Sequence, residues 1–221
     1  VYIQDNKGDN SNILLESLGL SSYKKNIDNE IEVLRSKNQI TDVVEALNLY
    51  TSYSWNSFLR NVPLYEETPI EAVLDSIDVR SLKASLNIRI KPQNGVFHLE
   101  VKTRNVRGDE VEICNTTVET FPYSIPFHKG FIRLRYTGDT IPTVDKTLNI
   151  SLSNPRSVSK SIAGNLTVAF ASKDATILKV VYRTPVIKAG EDFIKTLVDF
   201  YNIDAAKQKN QGTEKTQQFI D

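Results

Sequence analysis

Leu86-Asn87-Ile88-Arg89-Ile90-Lys91-Pro92-Gln93-Asn94-Gly95-Val96-Phe97-His98-Leu99-Glu100-Val101-Lys102 alternates apolar and polar residues on both sides of one Asn-Gly dipeptide. A strand points successive side chains to opposite faces, so Leu86, Ile88 and Ile90 share one face, as do Phe97, Leu99 and Val101. Asn94 and Gly95 both tolerate positive φ, which a type I′ turn requires at its two central positions. The stretch therefore predicts an antiparallel hairpin with one buried and one wet face.

The same pattern continues downstream. A turn at Arg107-Gly108-Asp109 leads to Val111 and Ile113, and further alternating runs fall at Ile132/Leu134/Tyr136 and Leu148/Ile150/Leu152. These runs predict a meander. Thr51 to Trp55 and Ile70 to Leu74 read as strands, and Phe58 to Tyr65 reads as a connector punctuated by Pro63, with Pro69 beyond it. Asn154-Pro155 opens a helical segment reaching about Ala163. Leu166 to Phe170 and Thr176 to Tyr182 follow as strands, the second apolar on both faces and so expected to be central.

Helical spacing flanks this β-rich middle. Val1 to Asp5 reads as a short strand, Asn6 to Asn12 as a polar loop and Ile13 to Leu20 as a helical turn. Ile27, Ile31 and Leu34 then mark one face of a helix from about Ser22. After a break at Ser36 to Asn38, a second stripe runs through Ile40, Val43, Val44 and Leu47 to Asn48, a suitable C-terminal cap. Thr184-Pro185 reads as the start of a long helix, with threonine as N-cap and proline at the first helical position. Its apolar stripe is Val186, Phe193, Leu197 and Tyr201. Beyond Asp204 the stripe thins and Gly212 weakens the helix, so this part is expected to project. The fold class is α+β: a mixed, mainly antiparallel sheet packed by N-terminal helices, with a long C-terminal helix projecting from the domain.

Composition narrows function. The 221 residues are 40% apolar, enough for a sizeable core, and 27 basic residues balance 27 acidic ones. A neutral chain without a basic block carries no electrostatic footprint for nucleic acid. Cys114 is the single cysteine, which rules out an intrachain disulfide, and its alternating surroundings point to a structural thiol. No stretch approaches the roughly 18 apolar residues of a membrane span, and no signal peptide is legible. The chain opens on Val1 and stops at Asp221 within a helical pattern, which reads as a piece of a longer protein.

No catalytic, metal or cofactor-binding residue is assigned. His98 and His128 lack partners at zinc-ligand spacing, and no nucleophile elbow, Walker loop or dinucleotide fingerprint is present. Glu66-Glu67 and Glu110/Glu112 are carboxylates that exposed faces explain. Trp55, Phe58, Tyr65, Phe121, Tyr123 and Phe127 could serve as a sugar-stacking platform, but packing explains them as well. Three Asn-x-Ser/Thr sequons lie at Asn115, Asn149 and Asn165.

Two motifs carry a family resemblance. Asn29-Glu30-Ile31-Glu32-Val33-Leu34-Arg35-Ser36 followed by Val43-Val44-Glu45-Ala46-Leu47-Asn48-Leu49 resembles the start of the periplasmic domain in bacterial polysaccharide co-polymerases, the chain-length determinant proteins. The branch fused to a cytoplasmic tyrosine autokinase is the nearer match. Tyr65 with Thr68-Pro69-Ile70, Leu166-Thr167-Val168, and Ser172 to Leu178 resemble later family segments. Val181-Tyr182 through Pro185, Ala189, Phe193, Leu197 and Tyr201-Asn202 resembles the start of the family's return helix, and Lys215 to Asp221 a point partway along it.

The resemblance implies a domain over 1–203, with about 97–153 as a β-rich insertion and 204–221 as the truncated start of the projecting helix. It implies a non-catalytic oligomerisation domain in the periplasm, anchored in the inner membrane by flanking spans and regulating the length or export of capsular or exopolysaccharide. Expected partners are further copies of the parent, the membrane polymerase and an outer-membrane export channel. ATP and Mg²⁺ would belong to a fused or partner kinase. Glu30, Glu32, Arg35, Lys37, Phe219 and Ile220 are the candidate oligomer contacts. The alternative reading is a secreted carbohydrate-binding or adhesive β-rich module, with a sugar-processing enzyme third.

Overall fold

The structure, a computed structural model, describes residues 28–57, 60–105, 107–138, 146–172 and 177–217. Within them the chain is α+β, with antiparallel sheets and a long C-terminal helix. Residues 28–34 are helical (α1), followed by α2 (Lys37–Ala46), β1 (Thr51–Ser57), β2 (Arg60–Leu64) and β3 (Ile70–Asp75). A short 3₁₀ turn (Val79–Ser81) leads to β4 (Leu86–Gln93), β5 (Val96–Arg104), β6 (Glu110–Val118), β7 (Tyr123–Phe127), β8 (Gly130–Tyr136) and β9 (Thr147–Leu152). The chain ends with α3 (Pro155–Asn165), β10 (Leu166–Phe170), β11 (Leu178–Tyr182) and α4 (Ile187–Gln217).

The expected hairpin is present. Asn94 and Gly95 take φ of 52° and 79°, and Ile90 pairs with Leu99 across it. Leu86, Ile88, Ile90, Leu99 and Val101 are all buried, and their strand neighbours Asn87, Arg89, Lys91 and His98 are exposed. The remaining strands depart from a single meander. One sheet has the order β2-β1-β9-β4-β5-β6 and a second the order β3-β8-β7. Apolar side chains from both sheets, among them Ile88, Leu99 and Ile150 from the first and Ile70, Ile125 and Leu134 from the second, form one cluster. The middle of the chain is therefore a two-sheet sandwich. Alternation marks which face of a strand is buried but not which sheet receives it.

Residues 97–153 supply β5 through β9 and run through both sheets, with β9 seated between β1 and β4. The segment expected as a connector, Phe58 to Tyr65, contains β2, paired from Arg60 to Leu64 with β1. Pro63 is tolerated there because β2 is an edge strand, where a missing N–H costs no ladder bond on the outer side. Gly130 is demanded by close approach: a Cβ there would lie 2.2 Å from the Asp75 carbonyl oxygen.

A second cluster joins the helices. Leu34, Ile40, Val43 and Val44 pack with Ile162, Leu166, Val168, Phe193 and Leu197, while Ile31, Leu47 and Tyr201 are partly buried against them. The stripes expected on the N- and C-terminal helices thus bury against each other and the small β10–β11 hairpin, not against the large sheet. For the same reason β11 is not central: it pairs with β10 alone, and its apolar residues are covered by helices.

Local signals set the helix ends. The Ser36 hydroxyl accepts from the Gln39 N–H (3.2 Å), capping α2. Asn48, at φ 52°, closes it: its N–H donates to the Glu45 carbonyl, and the Leu49 N–H to that of Val44. This is the paired pattern of a Schellman ending with asparagine in the left-handed position. Helix α4 begins at Ile187, so Pro185 precedes the helix instead of taking its first position, and the Thr184 hydroxyl, accepting from the Val186 N–H, closes the turn that leads into it. Its 31 residues span roughly 46 Å at 1.5 Å per residue. Phe193 and Leu197 are fully buried, and every residue from Asn202 to Lys207 is exposed.

Leu34→Ala and Leu197→Ala should each cost about 2–5 kcal/mol in denaturant unfolding, the usual large-to-small core penalty. An unchanged midpoint for either would contradict its place in the helical cluster. Amide exchange in α4 should be slow from Phe193 to Tyr201 and fast beyond Asp204. Uniform protection to Gln217 would instead require a covering partner.

Candidate functional site

The candidate contacts of the N-terminal motif fall on and between α1 and α2, where Ser36 breaks the helix. The structure separates them. Glu30 is half-buried and accepts a hydrogen bond from the Tyr201 hydroxyl, so it braces α1 against α4. Burial, then the Glu30 carboxylate, push the Tyr201 phenol up to about 12. Glu32, Arg35 and Lys37 are exposed and form a ridge of mixed charge. Phe219 and Ile220 lie outside the described residues.

A cleft of about 460 Å³ opens between the turn after α2, strand β1 and the β2–β3 connection. Tyr50, Tyr53 and Tyr65 line it together with Glu66 and Glu71. The Tyr50 hydroxyl donates to Asn48 Oδ1 (2.8 Å), so the residue that ends α2 also orients a wall of the cleft. The Tyr53 oxygen accepts from the Ala72 N–H (3.1 Å), and burial pushes its phenol up to about 12. Burial and the neighbouring Asp192 carboxylate raise Tyr65. Asp192 is itself held low by Lys188, 2.8 Å away, which ties this wall to α4. Glu71 pairs with Arg135 at 2.6 Å.

Of the six aromatic residues considered for sugar stacking, Tyr65 alone lines the cleft. Trp55, Phe121, Tyr123 and Phe127 pack on the sandwich core, and Phe58 lies outside the described residues. Tyr50 and Tyr53 reach the cleft without any signal in the sequence beyond their strand-edge position.

The outward face of the six-stranded sheet forms a second concavity, about 300 Å³. Register aligns its polar side chains in rows. Ser52 opposes Ser151, which opposes Asn87. Ser54 opposes Asn149, which opposes Arg89, which opposes Glu100. Glu100 contacts Lys102 at 2.6 Å and Arg89 at 3.0 Å, and the Lys102 hydrogen bond holds its carboxyl below the usual range. A third concavity, about 640 Å³, lies at the end of the sandwich near Leu82, Ile113 and Phe127.

The remaining chemical candidates are dispersed. His98 is exposed opposite Lys91, and His128 takes φ 52° in the β7–β8 turn, edge-on to Phe127. Burial raises the half-buried Cys114 thiol. Asn115 and Asn165 are exposed, donating to Glu112 and to the Ser161 carbonyl, and Asn149 sits mid-strand in β9. Among the described residues no group of three or more His, Cys, Asp or Glu side chains is arranged to hold a metal ion, and no helix is long and apolar enough to cross a membrane. No protein-family model matches the chain, and no curated protein matches it.

The two phenols raised to about 12, Tyr53 and Tyr201, have a measurable consequence. A phenol whose folded value exceeds the ordinary value of about 10 stabilises the fold below that pH, and the contribution is lost as pH rises through 10 toward 12. Ultraviolet titration should show Tyr53 and Tyr201 among the last tyrosines to ionise, with Tyr53→Phe and Tyr201→Phe each removing part of the late phase. A Tyr53→Phe curve that overlays the parent's at high pH would contradict the burial of the Tyr53 phenol.

Proposed function

We propose that this chain is a non-catalytic periplasmic assembly domain of an inner-membrane polysaccharide co-polymerase, regulating the length or export of a capsular or exopolysaccharide. One observation carries the reading beyond the motifs themselves. The segments that resemble the family lie far apart in sequence, at 29–49 and at 166–202, yet they meet in one hydrophobic cluster through Leu34, Val43, Leu166 and Phe193. A shared ancestry of those segments accounts for their joint core, and α4 leaves that core as a long helix with exposed residues beyond Tyr201. The parent in this reading is a tyrosine autokinase whose ATP and Mg²⁺ site lies in another part of the protein. Copies associate through the mixed-charge ridge of Glu32, Arg35 and Lys37. Glu30 serves the fold instead, through Tyr201.

In cells that make the polysaccharide, deleting this domain from its parent should shift the length distribution of the product on gels. Arg35→Glu should alter the distribution or the stability of the assembled ring without unfolding the domain. An unchanged distribution after deletion overturns the reading, and an unchanged ladder for Arg35→Glu removes the ridge from it.

A further inference from the structure

Asparagine is depleted in strands, where β-branched and aromatic residues fit the pleat better. Yet five strands of the six-stranded sheet each carry one on the outward face: Asn61 on β2, Asn56 on β1, Asn149 on β9, Asn87 on β4 and Asn115 on β6. Strand propensity does not select this arrangement, and packing cannot, because the sandwich core lies on the other side of the sheet. The amides of Asn56, Asn61, Asn87 and Asn149 make no side-chain hydrogen bond among the described residues. Short side chains on β1 and β9 beside the longer Arg89 and Lys102 leave the trough of about 300 Å³.

The chemistry of the trough limits what fits it. The outward face has no Phe, Tyr or Trp side chain, its one aromatic ring being the His98 imidazole outside the trough, and, apart from Val96 at the hairpin tip and Pro63 on the edge, no aliphatic one. It therefore lacks the apolar centre of a protein–protein interface. The two cations that line the trough, Arg89 and Lys102, are matched there by Glu100 and Glu110, which leaves no excess positive charge in it for a phosphate backbone. A carboxamide both donates and accepts hydrogen bonds, and so does a hydroxyl. We infer that this face binds a neutral polyhydroxylated chain, a saccharide, laid across β1, β9 and β4. With no ring to stack on in the trough, each site binds weakly, and repetition of the face in an assembly raises the overall affinity. The inference extends the reading above by naming where the glycan touches the domain, but it is tested without the parent protein.

The test is amide chemical-shift mapping on the 221-residue chain. It is titrated with neutral glucan and mannan oligomers and, as an anionic control, with polygalacturonate oligomers. The expected result is a saturable shift with at least one neutral oligomer, confined to β1, β9 and β4. Asn87→Ala combined with Asn149→Ala should weaken it fivefold or more in a protein that still folds. Asn87→Thr with Asn149→Thr, which favours the strand, is the second variant and should weaken it likewise. Absence of a saturable shift overturns the inference. So do shifts centred on Tyr50 and Tyr65 in the cleft, an equal response to polygalacturonate, or undiminished binding by a folded variant. Chain-length control in cells is an independent readout, so the two failures are distinguishable.

Discussion

One carboxamide sits where the two halves of the molecule meet. Asn154 follows β9 and precedes α3. Its side-chain oxygen accepts from the Arg156 N–H (2.9 Å) and so starts the helix. Its nitrogen donates to the Arg80 and Leu82 carbonyls (2.7 and 3.1 Å), fixing the 3₁₀ turn that feeds β4. Three backbone groups that would otherwise face each other unpaired are satisfied by one side chain. Arg80 then reaches Glu45 on α2 through two hydrogen bonds of 2.7 and 2.5 Å. Backbone joins the halves at the same level, with the Ser153 N–H donating to the Tyr50 carbonyl (2.8 Å). The two hydrophobic clusters are separate, so their mutual placement depends on this polar joint and on the wall formed by Tyr65, Lys188 and Asp192.

How much of this was legible follows from the range of each signal. Period-two alternation is local, and it placed Leu86, Ile88, Ile90, Leu99 and Val101 on the buried face and located the Asn94-Gly95 turn. Sheet membership is not local. Nothing in Ile132-Arg133-Leu134 tells that β8 pairs with β3, nearly sixty residues earlier, or that β9 slides between β1 and β4. Short strands interrupted by proline, β2 and β7, hid for the opposite reason: edge positions tolerate Pro63 and Pro126, while composition alone reads them as turns.

The candidate site divides in the same way. Exposure of Glu32 and Arg35 follows from helical spacing relative to Leu34, but the role of Glu30 depends on Tyr201, 171 positions away. The tyrosine cleft needs β1, β3 and the end of α2 to converge, and no spacing rule reports that convergence. The polar sheet face is an intermediate case. Each asparagine's outward direction is readable from its neighbours, while their alignment into rows requires the strand order.

That distinction bears on how the sandwich is used. A sheet with one face in a core gains nothing structural from asparagine on the other, and Thr, Lys or Glu would keep it soluble with better strand geometry. The opposite sheet follows that ordinary solution: its outer face carries the cross-strand pairs Asp75–Arg133 and Glu71–Arg135 at 2.9 and 2.6 Å. One chain has thus surfaced its two sheets by different rules. The smaller sheet pairs its polar groups with one another, whereas the larger leaves amides on four of its strands without a side-chain partner among the described residues. Unpaired amides at fixed spacing on a rigid sheet are preorganised, since the backbone ladder has already met the ordering cost before any ligand arrives. The helical half, by contrast, holds the two opening motifs, the charged ridge and the exposed residues 202–207 of α4. The proposed glycan contact and the proposed association between copies therefore fall on separate surfaces, joined through Asn154 and Arg80.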